Sequence, residues 1–271
     1  MYKNLFDCHI HSENSHDSKI SVKDICLQAE KLGFRGLAIT DHAECQGYLG
    51  CDYAANIANS LKDTRRAKEE FEGRLQVICG FEIAQVLQDY DLANLISDSN
   101  TFDFVIGSLH GIGRTKETFE YWNSTEPVDI DRKIEDYFDQ IMEMTRWGKF
   151  DVLGHLTYPI RYITAYHKIP LDFARYSDLI DQVLRLLIET GHGIEINTSG
   201  LRQGVGFPMP HLPWVKRYRE LGGEIITIGS DAHFLEHVGA GVAECMDMMK
   251  QAGYKYFTYY IDRKPHFELL D

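Results

Sequence analysis

Imidazoles and carboxylates recur in this 271-residue chain at a spacing suited to metal chemistry. His9 and His11 stand one residue apart at the end of an apolar run, and Asp17 follows six residues later. Asp41 and His42 end a second run, and Glu82 lies near the end of a third. His110 ends a fourth, a fifth carries His155, and Asp231 with His233 ends the last of the series. Residues two apart on a strand point to one face, so His9 and His11 can reach a single ion. Imidazole suits zinc, iron, nickel and copper, while a carboxylate can bridge two ions or hold a harder one such as manganese. A lone His-x-His or Asp-x-His carries little information; six histidines at successive strand ends, beside acidic residues, point to a metal centre. His16 is an alternative to Asp17 if the local backbone shifts by one residue. His167, His192, His237 and His266 match no strand end and read as surface residues.

These side chains need a scaffold that brings strand ends together. The runs are 5–11, 36–40, 75–83, 102–110, 151–156, 193–199 and 224–231, several apolar on both faces as parallel buried strands are. Helical patterns lie between them at 21–33, 52–72, 131–147, 172–190, 211–221 and 236–252. Ser21 and Asp24 form a capping box for the first, and Gly148, Gly191 and Gly222 mark later helix ends. The segment 254–261 is a candidate eighth strand. The alternation predicts an α/β fold with a parallel sheet closed into a barrel, whose active site collects at the C-terminal rim. An open doubly wound sheet is the competing arrangement. No repeat or linker is visible, so one domain over 1–271 is the expectation.

Composition narrows the function. A net charge of −13 opposes binding to long nucleic acid, which requires Lys and Arg against phosphates. Six cysteines without a CxxC pair read as reduced thiols, with Cys8, Cys26 and Cys79 in apolar runs. No secretory leader and no apolar run long enough to span a bilayer is present, so a cytoplasmic protein with no membrane partner is expected. The oligomeric state is left open.

The segments HIHSENSHD, ITDH, GFEI, GSLHG, DVLGH, EINTSG and GSDAH occur in the order seen in the polymerase-and-histidinol-phosphatase (PHP) superfamily, which the chain resembles from residue 7 to about residue 265. HLTYPIRY (155–162) and EINTSGLRQG (195–204) are similar to its histidinol-phosphatase branch. The resemblance implies a distorted (β/α)7 barrel and a centre of about three divalent ions (zinc, manganese or iron). It implies nine ligands: His9, His11, Asp17, His42, Glu82, His110, His155, Asp231 and His233. Asp17 stands where the family often has His.

The charge of three such ions exceeds that of three carboxylates by what one hydroxide and one phosphate dianion cancel. The expected substrate is therefore a small phosphate ester, attacked by a hydroxide that the ions supply near neutral pH. Glu82 is the expected bridge between two ions, and Asp231 or His233 returns a proton to the leaving group. Arg161 and Arg202 are candidate phosphate clamps. Tyr158, Tyr162 and Tyr166 are candidates for the leaving-group pocket, and Glu13, Glu44 and Asp52 are candidate acceptors for a cationic substrate. The branch resemblance implies L-histidinol phosphate as substrate, in histidine biosynthesis. Competing readings are a nucleotide phosphodiesterase or protein-tyrosine phosphatase of the same superfamily, or a non-catalytic metal-binding module.

Overall fold

The computed structural model describes residues 2–45, 51–99, 101–111 and 130–270. The strands are β1 (Phe6–Ile10), β2 (Gly36–Ile39), β3 (His42–Glu44), β4 (Gln76–Ala84), β5 (Phe104–Ser108), β6 (Val152–Leu153), β7 (Gly193–Asn197) and β8 (Ile226–Gly229). They pair in parallel in the order β1-β2-β4-β5-β6-β7-β8, with β3 against the second half of β4. The two ends of this order meet. The Asp231 N–H donates to the His9 carbonyl (2.7 Å), and the His11 N–H donates to the Ala232 carbonyl (3.0 Å). That contact selects a barrel over an open sheet, and three of the four residues that close it, His9, His11 and Asp231, are candidate ligands.

Both faces of these strands are buried, which explains their continuous apolar character. The helices α1 (Val22–Lys31), α2 (Tyr53–Glu70), α3 (Tyr90–Ser99), α4 (Ile130–Trp147), α5 (Ser177–Thr190), α6 (Leu212–Glu220) and α7 (Val242–Gln251) lie between them. On α4 the buried residues Ile134, Tyr137, Phe138, Ile141 and Met144 recur at helical spacing. The Ser21 side chain accepts from the Asp24 N–H at the start of α1, as the capping box predicts. Gly148, Gly191 and Gly222 have φ of +75°, +80° and +98° at helix ends, a region that glycine enters without penalty.

Three expectations are corrected. Residues 256–261 form a strand, β9, but not an eighth barrel strand. They pair antiparallel with β10 (Lys264–Leu269) in a separate hairpin, because closure between β1 and β8 leaves no free edge. The pattern at 236–252 becomes helix only from Val242, and the one at 172–190 only from Ser177, after a 3-10 turn over Phe173–Tyr176. Helix α3 and strand β3 were not anticipated. Strand β3 resumes after a break at Thr40 and Asp41, and its register sets His42 opposite Glu82. Among the described residues no helix is long and apolar enough to cross a membrane.

Candidate metal centre

All nine expected ligands converge at the C-terminal rim of the barrel. Glu82, on β4, is the centre of the group. Its Oε2 lies 2.9 Å from His42 Nδ1, 3.4 Å from His9 Nε2 and 3.7 Å from His11 Nε2. Its Oε1 lies 3.0 Å from His155 Nε2 and 3.3 Å from His110 Nε2, and accepts from Ser108 Oγ (2.5 Å). One carboxylate thus faces two separate sets of imidazoles, the geometry expected of a bridge. Asp231 Oδ1 is 3.3 Å from His11 Nε2 and 3.8 Å from His9 Nε2. Asp17, on the loop after β1, has its Oδ2 3.0 Å from His233 Nε2 and 3.5 Å from His42 Nε2. His16 Nε2 is 4.0 Å from the same oxygen, and both residues line the cavity.

The tautomers of these rings show whether cations fit. His9 Nδ1 lies 2.6 Å from Glu195 Oε1, so that nitrogen carries the proton and Nε2 is bare. Ser15 Oγ donates its only proton to Asp41 Oδ1 (2.9 Å) and therefore accepts from His11 Nδ1 (3.2 Å), which leaves His11 Nε2 bare as well. The two bare nitrogens face each other at 3.0 Å. Likewise His110 gives its Nδ1 proton to Glu44 Oε1 (2.6 Å) and presents Nε2 at 3.3 Å from His155 Nε2. In the neutral His9 and His11 rings these lone pairs repel unless a proton or a metal ion lies between them; against burial, Glu195, Glu82 and Asp231 hold His9 well above the usual imidazole range, so a proton takes that place until an ion does. His42 Nδ1 and Glu82 Oε2 lie 2.9 Å apart but outside hydrogen-bond geometry, and neither has another hydrogen-bond partner, which buried polar atoms avoid. Cations at these points satisfy all of these groups.

Electrostatics agree. Burial, with His233 and His42 nearby, holds His11 well below the usual imidazole range, so its lone pair is free at neutral pH. Burial would raise the pKa of Glu82, but His9, His110 and His42 outweigh it and hold the carboxyl well below its usual range. Asp231 is held low in the same way, chiefly by His9.

The site opens into a cavity of about 510 Å³ lined by Asp17, Glu82, Asp231, His233, Arg161 and Arg202, among others. That volume suits a small molecule. Arg161 begins a π-helical turn (Arg161–Tyr166) six residues after His155, with its guanidinium 5.4 Å from the Tyr162 ring and 6.0 Å from that of Tyr158. Arg202 is only partly free. Its Nη2 donates to the carbonyls of Ser230 (2.6 Å) and Asp231 (2.8 Å), and its Nη1 is buried without a partner.

Several expectations change here. Tyr158 and Tyr162 line the cavity, whereas Tyr166 is 70% exposed outside it. Asp52 is spent as the N-cap of α2, accepting from the Ala55 N–H (3.0 Å), and Glu13 is exposed outside the cavity lining. Glu44 does line it. His237, read as a surface residue, is half-buried on the cavity wall, because the loop after β8 folds back over the rim. His192 is likewise half-buried, stacked on Phe150 at 4.3 Å. Asp41, beside His42, is absent from the cavity lining and accepts from Ser12, Ser15 and Ser60. Sequence reasoning missed Glu195 and Glu44 as partners of His9 and His110. A Glu in the middle of an otherwise apolar strand run, as in GIEIN, was the available signal, since buried Glu is rare unless paired.

The PHP domain model matches residues 7–199. The chain belongs to the PHP domain family. It is 31% identical over 255 residues to a protein of Thermotoga maritima described as a probable histidinol-phosphatase, covering 94% of this chain and 95% of that one. It is 25% identical to the histidinol-phosphatase of Lactococcus lactis, covering 92% and 91%. Among solved structures, the histidinol phosphate phosphatase of Lactococcus lactis, complexed with zinc, L-histidinol and phosphate, superposes with a TM-score of 0.80 at 22% identity, over 97% of this chain and 99% of that one. The metal-dependent tyrosine phosphatases of Bacillus subtilis and Streptococcus pneumoniae reach a TM-score of 0.51 at 12% identity, over 91% of this chain and 87% of the matched one. The fold is that of the PHP phosphoesterases, a TIM-like barrel.

Proposed function

We propose that this chain is a phosphoric monoester hydrolase that converts L-histidinol phosphate to L-histidinol and phosphate. The observation that carries the metal chemistry is the convergence of His9 Nε2 and His11 Nε2, 3.0 Å apart, with His42, His110 and His155 on the one buried Glu82 carboxylate. Full-length similarity to histidinol-phosphatases, at 31% and 25% identity, supports the substrate.

We assign three ion positions to nine residues. His9, His11, Glu82 and Asp231 would hold one ion; Glu82, His110 and His155 a second; Asp17, His42 and His233 a third. Ions of the zinc, manganese or iron type supply Lewis acidity and lower the pKa of bound water towards neutrality. The protein's own part is to bind and orient. Arg161, on the wall across from the ligands, offers a planar fork matched to two phosphate oxygens. Arg202 adds its unpartnered Nη1 to the same cavity. Of the two groups expected to return a proton to the leaving alkoxide, His233 has both nitrogens engaged, by the Asp231 carbonyl (3.1 Å) and by Asp17 (3.0 Å). Asp231, which lines the cavity but is held well below the usual carboxylate range, would act by relaying a water's proton rather than by giving one of its own. A cavity of about 510 Å³ suits a small phosphate ester, the substrate class of the cytoplasmic biosynthetic enzyme we propose.

Phosphate release from L-histidinol phosphate by the metal-loaded protein tests this. Release that a chelator abolishes and zinc or manganese restores is the expected result. No release from fully loaded protein overturns the assignment.

A further inference from the structure

Glu195 lies in the middle of β7, fully buried, and is absent from the cavity lining. Its Oε1 accepts from His9 Nδ1 (2.6 Å). Its Oε2 accepts from the His155 backbone N–H (2.9 Å) and from Asn197 Nδ2 (3.2 Å). The Asn197 amide is itself oriented, because its Oδ1 accepts from the N–H (3.0 Å) and Oγ (2.6 Å) of Ser199. The same Nδ2 donates to Asp231 Oδ2 (3.3 Å). One carboxylate therefore touches or indirectly reaches His9 on β1, His155 after β6 and Asp231 after β8.

The neighbouring strands are shaped to receive it. A Cβ added at Gly229 would lie 2.3 Å from Glu195 Oε1 and 2.3 Å from His9 Cβ. A Cβ at Gly154 would lie 3.6 Å from Glu195 Oε2 and 2.6 Å from Ser108 Oγ. Gly229 of GSD thus clears the space that the carboxylate and His9 share, while Gly154 of LGH makes room for Ser108 beside it.

We infer that Glu195 is the positioning residue of the metal centre, fixing His9 as the Nδ1–H tautomer and tying two of the three ion positions into one rigid unit. This rests on the nine-residue centre proposed above. Partners of metal-bound histidine of this kind change metal affinity about 10- to 100-fold when removed. Glu195→Gln keeps the volume but sets an amide NH2 either against the His9 Nδ1–H or against the donors at His155 and Asn197.

The test is titration of metal-free protein with cobalt(II), read by its visible absorption, and with zinc, read by calorimetry. Glu195→Gln should weaken two ions by roughly 10- to 100-fold and alter the cobalt spectrum, while the ion at Asp17, His42 and His233 keeps its affinity. Asn197→Ala should shift the spectrum in the same direction by less. Wild-type affinities and spectrum in Glu195→Gln overturn the inference while leaving the metal centre standing. Failure of the wild-type protein to bind ions overturns the centre itself. If Glu195→Gln does not fold, Glu195→Asp serves: it retreats from His9 by one methylene, and unchanged affinity there would equally overturn the inference.

Discussion

Asp231 is the one candidate ligand whose backbone lies in the left-handed region, with φ of +54°. A non-glycine residue there is uncommon and costs of order 1–3 kcal/mol unless its surroundings hold it. They do: its N–H donates to the His9 carbonyl, its carbonyl accepts from Arg202, and the preceding Ser230 N–H donates to Asp7 Oδ1 (2.7 Å). The two arginines of the cavity consequently differ. Among the described residues the Arg161 guanidinium makes no such backbone contacts and rests on the Tyr158 and Tyr162 rings, which leaves its N–H groups for the phosphate. Arg161→Ala should leave metal content unchanged and lower kcat/KM roughly 10- to 150-fold, the loss of about 1.5–3 kcal/mol from a charged hydrogen bond. Unaltered kcat/KM would remove it from the site. Asp17 is the most exposed candidate ligand, on a loop rather than a strand end, with its side chain 39% exposed. Asp17→Ala should lose one ion and retain the others by elemental analysis; loss of every ion would contradict the assignment.

At the scale of elements, each strand end delivers one or two functional side chains, and this is why so much was legible. Alternation on β1 put His9 and His11 on one face, and the runs before His110, His155 and Asp231 ended where the strands end. What escaped was short or paired in an unexpected way. Strand β3 has only three residues, so Glu44 could not be placed against His110. Glu195 read as one more polar residue in a strand, since its role depends on partners 186 and 40 positions away. The β9–β10 hairpin turns at Asp262 and Arg263, both with positive φ, without the Asn-Gly or Asp-Gly pair that announces such turns. That turn is fastened to the end of the barrel opposite the site. Arg263 Nε donates to Asp151 (2.7 Å), and the Asp262 N–H donates to Asp103 (3.1 Å). Burial pushes Asp151 up to about 6 despite Arg263. Its folded pKa exceeds the unfolded value, so the folded state holds the proton more tightly. Stability from this group is present at low pH and is lost as pH rises from about 4 through 6. Denaturant unfolding should therefore show Asp151→Asn gaining about 2 kcal/mol on wild type between pH 4 and pH 7. A difference that does not vary with pH would contradict this.

The whole molecule carries a net charge of −13 yet gathers buried carboxylates and bare imidazoles at one rim. Cations relieve that concentration, so metal binding and stability are linked. Chelation should lower the unfolding temperature, and zinc or manganese should restore it, with about three ions per chain at saturation. One ion or fewer after supplementation would contradict the centre. Glu44, a buried carboxylate on the cavity wall beside His110, adds negative potential where a cationic substrate would sit. The most direct test of the central claim is a comparison of kcat/KM, with metal-loaded protein, for L-histidinol phosphate, a small aryl phosphate, a nucleotide and a phosphotyrosine peptide. Sites that pair a substrate's polar groups discriminate by up to about 10⁴–10⁵, and L-histidinol phosphate should exceed the others by orders of magnitude. Equal values, or a higher one for the nucleotide or the peptide, would contradict the assignment of this site to L-histidinol phosphate.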